Sequence, residues 1–157
     1  MAYLDIITLT QAKDYLGVDD SSRDNEITSM IKGALSYIER ETSYIMDAQD
    51  IEYIYDDNNE VYVYDYPINT LDANLADSVT RTRKKMYSIY ADTSTADSIT
   101  LNVGANTIPN DLREAALIMI DFFFNEKETG NRMFTLDNTR IPIGAQTLIH
   151  KNKRFII

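Results

Sequence analysis

The sequence contains no cysteine and no tryptophan, and its only histidine is His150. The first absence removes disulfides, thiolate nucleophiles and cysteine metal sites together, and it fits a chain made in a reducing compartment such as a cytoplasm. A lone imidazole, with no second one to share a metal and no serine or cysteine motif around it, offers neither a zinc site nor a catalytic triad. With 5 glycines and 3 prolines the chain is neither fibrous nor of low complexity. The segments "GNRMF" and "GANTIP" lack the spacing and the Lys-Ser/Thr ending of a phosphate loop, so nucleotide binding has no support. No run reaches the roughly 20 apolar residues that span a bilayer, and "MAYLDIITLT" has no basic segment before a long apolar one. We therefore expect no export signal, no membrane partner, no cofactor and no metal.

Positive charge is also scarce. Fifteen Lys and Arg stand against 25 Asp and Glu, a net charge of −10, so the surface should repel phosphate backbones rather than collect them. Residues 139–157 depart from this. They hold Arg140, Lys151, Lys153 and Arg154 with no acid, a charge of +4 that leaves −14 on residues 1–138. The chain ends on "LIHKNKRFII", basic and apolar at once. Its 157 residues are the length of one ordinary domain, expected over 1–150 with a tail at 151–157.

Helical signals come first. Thr8 can cap a helix over about 9–16, Gln11 stands where a capping box wants Glu or Gln, and Gly17 stops it. "VDDSSRDNE" supplies a turn and a second cap from Ser21 or Ser22. A helix over about 23–43 follows, with Ile27, Met30, Ile31, Ala34, Leu35 and Ile38 in one stripe. Between about 50 and 104 the period shortens to two. "IEYIYDDNNEVYVYDY" reads as a hairpin around "DDNN", and "KMYSIYA" and "SITLNVG" as further strands of a small antiparallel sheet. "YPINTLDANLADSVTRTRKK", rich in Asn, Asp and Thr, reads as an irregular connection. Pro109 suits the start of a helix over about 110–127, whose inward stripe is Leu112, Ala115, Ala116, Met119, Ile120 and Phe123. Leu117, Ile118, Phe122 and Phe124 widen that stripe, so the helix is buried on more than one side, either centrally or against a neighbouring copy. A short helix over about 143–150 precedes the tail. The fold class is mainly α with an inserted antiparallel β region, an α+β chain built as a helical bundle with a hairpin and an extended C-terminal tail.

The acids do not form a site. "DDSSRDNE" has the oxygen-rich look of a calcium loop but lacks its central glycine and its closing glutamate, and turn and cap chemistry accounts for it. Arg81, Arg83, Lys84 and Lys85 form a basic cluster without interleaved aromatics for base stacking. It reads as a solvated loop or as a partner for an acidic surface on the next subunit. Seven of the eleven tyrosines lie in the β region, and they suit an interface or a half-exposed sheet equally.

The order of these elements resembles the tailed-phage head-tail connector family, the adaptors that dock on the portal. The residues of the first half that match its pattern are Thr8, Leu9, Ala12, Lys13, Tyr15, Leu16, Asp19, Asp20, Ile27, Ile31, Ala34, Tyr37 and Ile38. In the second half Ile108, Pro109, Asp111, Leu112 and Ala115 look like the family's Val/Ile-Pro-x-Asp-Leu-x-x-Ala helix, and "IPIGAQTLIHKNKRF" is similar to its terminal helix and basic tail. The middle, "DANLADSVTRTRKKMYSIYADTSTAD", is longer and richer in Asn and Thr than that pattern. The resemblance implies a non-enzymatic virion protein, assembled in the host cytoplasm, that forms a ring of about twelve copies. Such a ring links the portal of the head to tail or further connector proteins and extends the DNA channel, through which DNA passes without specific binding. Alternatives are another head-closure or tail-completion factor, or a cytosolic acidic adaptor for a basic protein. In the connector reading His150, Lys151, Lys153, Arg154, Phe155, Ile156 and Ile157 are the expected portal or subunit docking segment. Phe122, Phe124, Arg81, Arg83, Lys84 and Lys85 are expected at contacts between copies.

Overall fold

The computed structural model describes residues 3–58, 60–65, 67–69, 79–82, 86–90, 98–105, 107–128 and 141–153. They fall into two compact units, one helical over residues 3–42 and 107–153, the other built on strands over residues 43–105. The chain is thus α+β, with the β unit inserted between the second and third helices.

The first helix, α1 (Leu9–Leu16), begins as its sequence requires. The Thr8 hydroxyl accepts from the Gln11 amide at 3.2 Å, and the Gln11 side chain accepts from the Thr8 amide at 3.1 Å, so two amides without helical partners are satisfied reciprocally. Gly17, left-handed at φ 67°, closes it. The second cap differs from the one expected at Ser21 or Ser22. Asp20 fills it: one carboxylate oxygen accepts from the Ser22 amide at 2.8 Å and the other from the Ser22 hydroxyl at 2.5 Å. A carboxylate there also gains from the positive end of the helix that follows, an advantage that a serine hydroxyl lacks. A single 3₁₀ turn, Ser21–Arg23, leads into α2 (Asp24–Thr42).

All six stripe residues of α2 are buried, together with Tyr37 and Thr42. Thr42 meets its hydrogen-bonding need inside the helix, donating to the Ile38 carbonyl at 2.7 Å. The third helix, α3 (Asn110–Glu128), starts from the Pro109 carbonyl, which accepts from the amides of Leu112 and Arg113. It packs against α1, α2 and α4 (Ile143–Asn152), the three other helices of its unit. That position explains its breadth: Leu112, Ala115, Ala116, Met119, Ile120, Phe123 and Phe124 are all buried.

In the β unit, β1 (Gln49–Ile54), β2 (Glu60–Val63), β3 (Val79–Thr82), β4 (Met86–Tyr90) and β5 (Ser98–Val103) form two antiparallel sheets, β1-β5 and β2-β4-β3. The "DDNN" turn forms around Asp56. Its amide donates to the Glu60 carbonyl, and its carboxylate accepts from the amides of Asn58 and Glu60, each at 2.9 Å. The strands on either side do not pair with each other, however. β1 runs against β5 from Gln49↔Val103 to Ile54↔Ser98, and β2 against β4 from Glu60↔Tyr90 to Val63↔Tyr87. Parting them places Val61, Val63, Ile89, Leu101 and Val103 in one core shared by the two sheets. The stretch read as irregular contains β3, which among the described residues stands at the edge of its sheet, paired with β4.

Candidate functional site

Charge, an open cleft and the end of the described chain coincide at α4. Its first turn is capped only by backbone, the Pro142 carbonyl accepting from the Gln146 amide at 3.0 Å. Ala145 and Ile149 point into the helical unit, while Ile143, His150 and Lys151 are exposed.

Two of the expected docking cations are engaged at home. Lys151 Nζ lies 2.6 Å from Asp111 Oδ2 in the first turn of α3, and Lys153 Nζ lies 2.9 Å from Glu41 Oε2 in the last turn of α2. The hydrogen bond from Lys151 holds the Asp111 carboxyl below its ordinary range. The segment expected as a tail from 151 is therefore helix to Asn152 and tied down through Lys153. Arg154, Phe155, Ile156 and Ile157 lie outside the described residues.

Between α2 and α4 lies a cleft of about 210 Å³, lined by Tyr37, Glu41, Gln146, Ile149, His150 and Lys153. Tyr37 and Ile149 are 5% and 2% exposed and give it an apolar floor. The Glu41–Lys153 ion pair and His150 stand at its rim. Burial pushes the Tyr37 hydroxyl up, which keeps that wall neutral. Of these six residues the sequence singles out His150 and Lys153 as docking residues, and Tyr37 only as a match to the connector pattern. Tyr37 and Glu41 are four apart on one helix, and Gln146, Ile149 or His150, and Lys153 step by three or four on another. That spacing shows two faces but not that they meet.

The residues expected between copies divide. Phe124 is buried in its own unit, and the Arg23 guanidinium lies 3.9 Å from the centre of its ring. Arg23 also pairs with Glu26 at 3.3 Å, and Glu26 with Lys127 at 2.7 Å, so one network ties α3 to α2 over that ring. Phe122 is half-buried, tilted against Phe123 with centroids 6.1 Å apart. Arg81 lies in β3 opposite Tyr87, and Arg83, Lys84 and Lys85 lie outside the described residues. Other exposed apolar groups are Tyr15 at 45% and Ile143 at 81% on the helical unit, and Ile54, Tyr62 and Tyr64 on the β unit.

Among the described residues no three His, Cys, Asp or Glu side chains gather as metal ligands, and no helix is long and apolar enough to cross a membrane. The acids serve local structure, as where Asp65 accepts from the Tyr53 hydroxyl at 2.6 Å. Burial and that carboxylate together push the hydroxyl well up.

No protein-family model and no curated protein matches the sequence. Solved structures do match in fold. The chain is similar to one in the neck of an empty gene transfer agent (GTA) particle computed with C6 symmetry. The identity is 12% and the TM-score 0.70, with 100% of this chain and 94% of that chain covered. It is also similar to one in the virion of a native gene transfer agent particle, at 15% identity and a TM-score of 0.65, covering 96% and 91%.

Proposed function

We propose that this chain is a structural protein of the neck of a phage-type particle, a head-tail connector whose copies form a ring between the portal and the tail. The observation that carries this reading is the likeness of fold to a chain of a particle neck, over 100% of this chain and 94% of that one, at a TM-score of 0.70. The resemblance of the capping and core residues of α1, α2 and α3 to the connector pattern agrees with it, and it rests on sequence rather than on shape. That neck was computed with C6 symmetry. A ring of about twelve contains a six-fold axis, so the proposed copy number is compatible with it.

The composition acquires a use in this setting. A wall around a DNA path works best when it does not hold the duplex, and a chain of net charge −10 repels phosphates. Repulsion between copies is screened beyond about 8 Å at physiological salt, so close apolar and ion-pair contacts can still close the ring. The proposed contacts are the partly exposed Phe122 and the basic cluster at 81–85, with residues 154–157 as the docking segment toward the portal or the next copy. The function is assembly, with neither catalysis nor a cofactor.

Native mass spectrometry and cryo-EM of purified particles test the reading. The chain should appear at the head-tail junction as a closed ring bound to portal protein. Particles that assemble fully and carry tails without it, or a strictly monomeric copy at that junction, would overturn the reading. A ring placed further along the tail axis would make it a tail-completion protein instead.

A further inference from the structure

The helical unit carries two surface faces of opposite character. On α3, Glu114, Ile118 and Asp121 step by four and three residues along the side opposite the buried stripe, Glu114 exposed and the other two half-buried. Burial first, and then the carboxylates of Glu114 and Asp121, push the Tyr15 hydroxyl up, which places Tyr15 of α1 near those acids. Ile118 meets the start of α4, where a methyl group on Gly144 would lie 3.8 Å from its Cδ1. The result is a patch with an apolar middle of Tyr15, Ile118 and Ile143, the last 81% exposed, and two acids beside it. Neither acid meets a cation among the described residues, and Asp121 accepts from the Asn125 side-chain amide at 3.0 Å.

The complement stands on α2. Opposite its buried stripe this helix exposes Lys32, Ser36 and Arg40, each four residues from the next. Lys32 meets no acid among the described residues. Arg40, its side chain 66% exposed, lies 3.9 Å from Glu41 and 5.2 Å from the centre of the Tyr37 ring. Between the cations the face is low, with Ser36 and with Gly33, whose added Cβ would meet nothing within 4 Å. At 1.5 Å of rise per residue the two cations stand about 12 Å apart along α2, and the two acids about 10 Å apart along α3. α2 and α3 pack through their buried stripes, so the two faces lie on opposite sides of the unit, an arrangement from which a head-to-tail contact builds a ring. We propose that the patch of Tyr15, Ile118 and Ile143 docks the α2 face of a second copy, its acids Glu114 and Asp121 against Lys32 and Arg40. A second copy is the occupant because the chain itself supplies the matching cations, at a matching spacing and on the opposite face. The inference rests on the connector reading and names the faces that would join its copies.

Charge reversal tests the pairing in the full chain, supplied as the only source of the protein during particle assembly. Lys32→Glu with Arg40→Glu, or Glu114→Lys with Asp121→Lys, should each lower the copies per tailed particle about tenfold, and the four changes together should restore them. The absence of cysteine supplies a second measurement. Ser36→Cys with Ile143→Cys leaves every charge in place, and since the two sites lie on opposite faces, a disulfide between them joins two copies. Oxidised particles of that chain, run without reductant, should give a ladder of linked copies that neither single variant gives. Reversed variants count where their thermal midpoint matches the wild type, and where it does not, the two-cysteine chain decides. If folded reversed variants are incorporated normally, if the four changes together restore nothing, or if the two-cysteine chain stays unlinked or links to another protein, the inference fails, and the connector reading stands as long as the wild-type chain is in tailed particles. If the wild-type chain is missing from them, it is the connector reading that fails.

Discussion

Gly104 and Ser43 both hold positive φ, at 100° and 55°, and only Gly104 lacks the Cβ that makes such a backbone unfavourable. A methyl group on Gly104 would lie 2.8 Å from the Asp47 carbonyl carbon and 2.9 Å from an Ile45 methyl. The surrounding backbone cannot retreat, because the Gly104 amide donates to the Pro67 carbonyl at 2.7 Å and the Ala105 amide to the Ile45 carbonyl at 3.1 Å. Gly104→Ala should therefore destabilise the protein by about 2 kcal/mol or more, read as a lower urea midpoint. Ser43 follows directly on α2, where a left-handed residue ends the helix and glycine is the usual choice. Ser43→Gly should stabilise by about 0.5–1 kcal/mol, the left-handed penalty less the extra freedom that glycine has when unfolded, and should raise the thermal midpoint.

Among the elements, the helices join chiefly through apolar stripes, with exposed ion pairs laid across them. Hydrogen bonds and charge from Arg23 and Lys127 hold the Glu26 carboxyl below its ordinary value of 4.5. A carboxyl depressed in the folded state binds its proton more readily when unfolded, so its contribution is present above pH 4.5 and is lost as pH falls through the folded value. Unfolding of the native chain should thus become easier as acid is added below pH 4.5, and Glu26→Gln should flatten part of that slope in urea melts taken at several pH values. The helix stripes and caps were legible in the sequence because their partners lie three or four residues away. Strand pairing was legible only in part. The "DDNN" turn formed, but β1 pairs with residues nearly fifty positions on, and no local pattern encodes a partner at that distance. β3 escaped notice because four residues among Asn, Asp and Thr carry too little alternation to stand out.

At the scale of the molecule, the C-terminal segment behaves as two pieces. Truncation after Lys153 should leave thermal stability unchanged, because every described ion pair of α4 remains. Truncation after His150 should lower it, since Lys151–Asp111 and Lys153–Glu41 both go, the latter, a partly buried pair, contributing on the order of 1 kcal/mol. Differential scanning of the two truncations separates what residues 151–153 contribute to stability from what residues 154–157 contribute. The sequence by itself determined which segments are helical, how α1 is capped, that one segment has β character, and that charge is divided between an acidic body and a basic end. Each follows from neighbours along the chain. Tertiary structure alone decided which strands pair, that Phe124 lies inside under Arg23, that two terminal lysines hold α4 to α2 and α3, and that a cleft opens where Tyr37 meets Ile149. These depend on surfaces brought together from distant positions, and that meeting is set by how the elements pack.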